Sequence, residues 1–158
     1  MTDNKNYNIS VPFFTLSGIR AVARLVDVYD GDTVTCIFPI LKDNYYKFNL
    51  RLKGIDTAEL KNSDLIAKKK ALEARHFILS SCCDTYNLKQ DCSRHDIQNY
   101  LKDNNVFVWV ECFDFDKYGR VLANVYKEPD SMSLSDLLLN CKLAYAYDGG
   151  KKKSSNET

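Results

Sequence analysis

Several things are missing from this sequence, and each absence narrows what it can be. No stretch approaches the apolar length of a membrane span, about 20 residues. The opening Met1 to Ser10 lacks the charged-then-apolar order of a secretion signal. An intracellular protein is expected, in which Asn8-Ile9-Ser10 is an idle sequon. There is no internal repeat, and 158 residues suit one domain with a real core. Excess charge is also lacking, since the net value is +1. Nothing global announces an anionic partner, so any attraction for nucleic acid must come from a local cluster of Lys and Arg. A disulfide framework is not expected either: without a secretory context Cys36, Cys82, Cys83, Cys92, Cys112 and Cys141 read as reduced thiols. Cys82, Cys83, Cys92 and His95 match zinc-ligand spacing poorly because two of the cysteines are adjacent.

What is present begins with Asp30-Gly31-Asp32-Thr33, which lies between the apolar runs Ala23 to Tyr29 and Val34 to Phe38. An Asp-Gly pair in this setting signals a hairpin, with the glycine expected to supply a positive φ. The turn does not require Asp32. Strand alternation places that carboxylate where it can meet groups from a neighbouring strand.

Along the chain, residues 1–20 read as a tail whose Phe13, Phe14 and Leu16 lie against the domain. A third run alternates, with Tyr46, Phe48, Leu50 and Leu52 on one side and Lys47, Asn49, Arg51 and Lys53 on a basic outer face. Ser63 is placed to cap a helix running to about Ser80, buried through Leu65, Ile66, Ala71, Leu72, Ala74, Phe77 and Ile78. Residues 84–105 turn polar and read as an insertion with a short helix begun by Ser93 and Asp96 in capping-box spacing. Val106 to Phe113 and Val121 to Tyr126 are further strands. Ser133 with Asp136 opens a helix bearing Leu134, Leu137, Leu138 and Cys141, and Leu143 to Tyr147 is a last extended piece. Residues 148–158 read as a flexible polar tail. The order suits an α+β fold: a five-stranded Greek-key barrel of oligonucleotide-binding (OB) type with packed helices.

Asp32 and Asp56 lie near each other if the first and third strands share a sheet. Two hard carboxylates, completed by a carbonyl and waters, suit calcium, and no dense His and Cys set favours a softer metal. Arg51 and Arg120 supply two guanidinium forks for one phosphate. Glu59 is a spare carboxylate able to take a proton from water.

Taken together, Asp30-Gly31-Asp32-Thr33, Arg51 with Asp56-Thr57-Ala58-Glu59, Asp116-Lys117-Tyr118-Gly119-Arg120 and Ala144-Tyr145-Ala146-Tyr147 resemble, in that order, the staphylococcal nuclease (thermonuclease) family. The likeness covers residues 21–147 and implies a calcium-dependent endonuclease, a hydrolase of DNA and RNA phosphodiesters that leaves 3′-phosphorylated products. It implies that Asp32, Asp56 and the carbonyl of Thr57 bind the metal, with Asp30 just behind them. By the same likeness Arg51, Glu59 and Arg120 are catalytic, with Glu59 as general base. Lys117, Tyr118, Tyr145 and Tyr147 contact the nucleotide. No obligate protein partner is implied, and a monomer is expected.

The chain departs from the family pattern in three places. Ala58 stands where proline is usual, so the Glu59 loop is expected to be less stiff. The 84–105 insertion is additional. The family's final helix has no counterpart, which leaves the tail or the insertion to cover that side. Each residue also has a plainer reading: Asp30 and Asp32 as turn acids, Arg51 as part of a solvated strand face, Glu59 as a charge near a helix start, and Gly119 as a backbone requirement of its turn. The competing function is a noncatalytic OB-fold module binding nucleic acid or protein. Residues 84–105 could also serve a regulatory contact alongside either function.

Overall fold

In the computed structural model, which describes residues 4–148, apolar alternation closes a five-stranded barrel. The strands are β1 (Arg20–Asp30), β2 (Thr33–Ile40) and β3 (Asn44–Leu52), then a two-residue β4 (Ile55–Asp56), β5 (Val106–Phe115), β6 (Val121–Tyr126) and a two-residue β7 (Tyr145–Ala146). The order around the barrel is β1-β2-β3-β6-β5, with β5 returning to β1. The β3–β6 pair is parallel and the others are antiparallel, as in an OB-type barrel. β4 and β7 form a separate small sheet beside it.

Period-two alternation sends Val34, Cys36 and Phe38 of β2, Val108, Val110 and Cys112 of β5, and Val121, Ala123 and Val125 of β6 into one core. Each fully buried large aliphatic or aromatic side chain contributes roughly 1.5–3 kcal/mol. β1 breaks register twice against β2, between Leu25 and Asp27 and between Val28 and Asp30. Such bulges re-aim side chains. Here they bring Asp27 under a helix and Asp30 to the mouth of the barrel.

β3 differs from its expected half-buried pattern. Its first half extends with β2 as a two-stranded arm, leaving Tyr46 exposed, while Phe48 stacks on Phe38 at 4.5 Å. Its last residues, Leu50 to Leu52, are enclosed, because β2 and β6 flank them. Arg51 is therefore buried rather than part of a solvated basic face. The arm turns through Leu41, Lys42 and Asp43, with φ of 50°, 39° and 63°.

Helix α1 (Leu65–Cys82) is capped by Asp64, which accepts from the Ile66 amide, and not by Ser63. Leu65 and Ile66, expected inside, are 80% and 78% exposed. The buried stripe starts at Ala67, runs through Ala71 and Ala74 and continues to Ile78 and Leu79, which leaves Leu65 and Ile66 off it. Leu72 and Phe77 are only half-buried.

Helix α2 (Arg94–Asp103) carries the expected Ser93–Asp96 capping box with both reciprocal bonds. The segment packs on the barrel. Ile97 and Leu101 are fully buried, and Arg94 pairs at 2.6 Å with the buried Asp27 of β1. Helix α3 (Leu134–Asn140) starts at Ser133, whose hydroxyl accepts from the Asp136 amide. Cys141, expected on its buried side, is the exposed C-cap residue.

Of the N-terminal segment, Leu16 joins the core, Phe13 stands off at 98% exposure, and Phe14 lies 6.3 Å from the Phe115 ring. All six cysteines are free thiols. Burial holds Cys83 and Cys112 up at about 11 and Cys82 at about 12. Among the described residues, no helix is long and apolar enough to cross a membrane. Apart from Asp148, the 148–158 tail lies outside the described residues.

Candidate functional site

The site is built where β1 ends, β3 ends and β4 begins. Gly31 at the β1–β2 turn does not adopt the expected positive φ. It is needed for closeness instead: a Cβ there would come 2.6 Å from the Ala74 Cβ and 3.0 Å from Thr57 Cγ2 and Oγ1. Helix α1 and the start of the loop after β4 therefore press directly on the turn that carries Asp30 and Asp32.

Arg51 lies across the floor. Its Nη2 is 3.1 Å from Asp56 Oδ1 and 3.4 Å from Asp32 Oδ2, with the Arg51 and Asp32 side chains 10% exposed and Asp56 7%. Its Nη1 donates to the carbonyls of Leu52 (3.2 Å) and Ile55 (3.0 Å), which fixes the plane of the guanidinium. The Thr57 amide donates to Asp56 Oδ1 at 3.1 Å and Asp32 Oδ2 at 3.3 Å, so strands distant in sequence meet at one pair of carboxylates. Thr57 itself is 1% exposed.

Burial opposes the charge on Asp32, but the guanidinium of Arg51 and the hydrogen-bonded surroundings, including the donating hydroxyl of Thr33, outweigh it and hold the carboxyl below its ordinary range. Asp30 responds in the other direction. Burial, and then the neighbouring charge of Asp32, push it up to about 7, while the Asp32 amide donates to its Oδ1 at 3.1 Å.

Asp116 organises the other wall. Its Oδ1 accepts from the amides of Tyr118 and Arg120, both at 2.9 Å, and its Oδ2 accepts from Arg120 Nε at 2.7 Å. Burial works against that carboxylate, yet the amides and the guanidinium keep it low. Gly119, at φ 82°, closes the turn. Arg120 Nη1 then reaches Thr33 Oγ1 at 3.3 Å, and the same hydroxyl donates to Asp32 Oδ1 at 3.0 Å. Thr33 thus links the two walls.

These groups face one open cleft of about 1220 Å³. Asp30, Asp32, Arg51 and Asp56 line its floor; Glu59, Lys117, Tyr118, Arg120 and Tyr147 line its sides. Glu59, Lys117 and Tyr118 are exposed. The Tyr147 ring lies 5.9 Å from the Arg51 guanidinium carbon, and its amide donates to the Gly54 carbonyl. Thr57 and Tyr145 are not among the lining residues. Thr57 lies beneath the floor, and Tyr145 pairs with Asp56 across β4 and β7.

Asp116 and Thr33 fall within the sequence motifs, but nothing in spacing alone marks them as positioning residues. Their signal is the hydrogen-bonding capacity of an acid at the head of a tight turn and of a hydroxyl beside a metal-type carboxylate. Among the described residues, no three Asp, Glu, His or Cys side chains form a ready cage for a metal, and this includes Cys82, Cys83, Cys92 and His95. Asp32 and Asp56 offer a pair of hard oxygen donors, a type that suits calcium better than zinc, with Arg51 Nη2 lying between them.

No protein-family model matches the chain and no curated protein matches it, so the likeness to the staphylococcal nuclease family rests on the four motifs and their order.

Proposed function

We propose that the chain is a calcium-dependent nuclease that hydrolyses DNA and RNA phosphodiesters by in-line attack of water, leaving 3′-phosphorylated products. The observation that supports this most is Arg51 bridging Asp32 and Asp56 on the floor of a cleft whose sides bring Glu59 and Arg120.

In this reading Asp32, Asp56 and the Thr57 carbonyl hold calcium. Bound calcium supplies Lewis-acid polarisation of the phosphoryl group and neutralises part of its charge. The Nη2 edge of Arg51, which faces Asp32 and Asp56, is the one that would meet a phosphate oxygen. Arg120, held by Asp116, approaches from the other wall. Together the two guanidiniums stabilise charge that grows in the transition state, an effect worth several kcal/mol. Glu59 takes the proton of the attacking water as its oxygen bonds to phosphorus. The bond to the 5′-oxygen breaks on the opposite side, and that oxygen is protonated from solvent. Lys117, Tyr118 and Tyr147 orient the nucleotide, and Tyr145, which does not line the cleft, acts through its pairing with Asp56. Because the nucleophile is water and not a 2′-hydroxyl, both sugars are substrates.

The test is incubation of the protein with single-stranded DNA and RNA, in calcium or in chelator. Cleavage is expected only with calcium, with 3′-phosphate ends, and is abolished or strongly reduced in Arg51→Ala and Glu59→Ala. Intact substrate under every condition would overturn the proposal in favour of a noncatalytic OB-fold binding module.

A further inference from the structure

Outside the cleft, β5 turns a second file of side chains to solvent. Phe107, Trp109, Glu111 and Phe113 alternate with the buried Val106, Val108, Val110 and Cys112. Phe107 is 57% and Trp109 38% exposed, although burying such rings contributes roughly 1.5–3 kcal/mol each. At about 3.4 Å per residue, alternate positions stand about 7 Å apart, and Phe107 and Phe113 about 20 Å apart. Val22 of β1 and Tyr126 of β6 flank Trp109 in register, which broadens the apolar strip at its centre.

Cations border the rings. Arg24 stands opposite Phe107 in register, but its Nη2 is committed to the carbonyls of Leu101 and Lys102 at 3.1 Å. Arg20, its side chain 77% exposed, pairs with Glu111 at 2.6 Å, and Asn124 donates to the same carboxylate at 3.2 Å, so the one acid of the file is neutralised. The Lys53 ammonium lies 4.5 Å from the centroid of the Phe113 ring. Lys53 also lines the cleft, so the file begins at the cleft and leads away from it along β5.

We propose that this file is a track for single-stranded nucleic acid, with bases stacking on Phe107, Trp109 and Phe113 and phosphates meeting Arg20 and Lys53. Interleaved rings and cations are what a single strand requires, because every base has a face to stack and every linkage has a charge. The role of the track in feeding the cleft rests on the nuclease reading. Its binding of a strand does not.

Trp109 is the single tryptophan of the chain, so its emission reports stacking without a label. The full chain is titrated with oligothymidylate in excess chelator. Saturable quenching is expected, with affinity weakened roughly five- to a hundred-fold in Phe107→Ala, the effect of one lost base stack, and restored in Phe107→Tyr, which keeps a ring. A duplex of equal length, its bases already stacked, is expected to quench less. Unchanged emission, or a Phe107→Ala variant that binds as tightly as the parent, would overturn the track. Emission that follows protein concentration in place of oligonucleotide, with dimers in sedimentation, would also overturn it and make the strip a self-association face. The two proposals fail separately. Calcium-dependent cleavage with silent Trp109 emission removes only the track, whereas quenching in a protein that cleaves nothing supports the track and removes the nuclease.

Discussion

Gly31 faces Ala74 so closely that a methyl group on the glycine would lie 2.6 Å from the alanine Cβ. The turn carrying two of the site's carboxylates is therefore seated on α1 with no spare volume. Gly31→Ala is expected to destabilise the fold by about 1–3 kcal/mol through overpacking, with no contribution from φ. Ala74→Gly, itself costing about 1 kcal/mol in a helix, is expected to recover part of the loss when combined with it, because the Thr57 contacts at 3.0 Å remain. Denaturant unfolding of both single variants and the double variant measures the coupling. Strict additivity would contradict the contact.

Arg51 supplies the positive charge between Asp32 and Asp56. Removing it leaves two buried carboxylates facing each other, and breaking a buried pair of this kind costs about 3–5 kcal/mol. Arg51→Ala is expected to melt well below the parent in chelator and to gain more than the parent from added calcium, which replaces the missing cation. Thermal scans with and without calcium test this independently of cleavage. Equal calcium shifts in both proteins would refute it.

Asp30 sets a pH dependence whose sign runs against the usual carboxylate. Its folded value, about 7, stands above the unfolded 3.8, so the folded chain holds a proton that the unfolded chain has lost. That contribution is complete below about pH 4 and is lost as pH rises toward 7. In chelator, stability is expected to fall across that window, and Asp30→Asn, which keeps a donor toward Asp32, is expected to flatten the slope. In the nuclease reading calcium would compete with the same proton, so its affinity is expected to climb with pH up to about 7, with protons released on binding below it.

Asp116 holds Arg120 by its carboxylate, and in the nuclease reading it acts on chemistry through that arginine. Asp116→Asn is expected to lower kcat about ten- to a hundred-fold, as small misplacements of a charge-stabilising group do, with little change in KM. Single-turnover and steady-state cleavage separate this from lost binding. A change confined to KM would show that Asp116 positions substrate instead.

Leu101 and Ile97 make α2 part of the core. Leu101→Ala is expected to cost about 2–5 kcal/mol. Deletion of residues 84–105 is expected to unfold the barrel, because it also strands the buried Asp27 without Arg94. Circular dichroism on the deletion variant decides this. A stably folded deletion would return the segment to the status of an insertion.

The elements that depend on local chemistry were legible in the sequence. β6 falls on Val121–Tyr126, Ser93 and Asp96 form their capping box, and Ser133 caps α3, because each signal is written in neighbouring residues. The barrel follows from strand count and alternation. Tertiary placement is what the one-dimensional pattern hides. Arg51 looks like one of several basic residues on a strand face until the parallel β3–β6 pairing encloses it. Leu65 and Ile66 look buried until the inward stripe of α1 is seen to start at Ala67, and 84–105 reads as a polar insertion because the core contacts of Ile97, Tyr100 and Leu101 are not written in its composition. Gly31 is a turn glycine in sequence and a packing glycine in space.

The β2–β3 arm has a consequence for engineering. Leu41, Lys42 and Asp43 hold left-handed conformations in succession, and each costs an L-residue roughly 1–2 kcal/mol that glycine is spared, against roughly 0.5–1 kcal/mol of extra chain entropy. The Pro39–Tyr45 rung just below this tip stands six rungs, about 20 Å, from the Thr33–Arg51 rung that borders the cleft. Thermal tolerance gained by rebuilding the tip is therefore available without disturbing the groups that would touch a substrate.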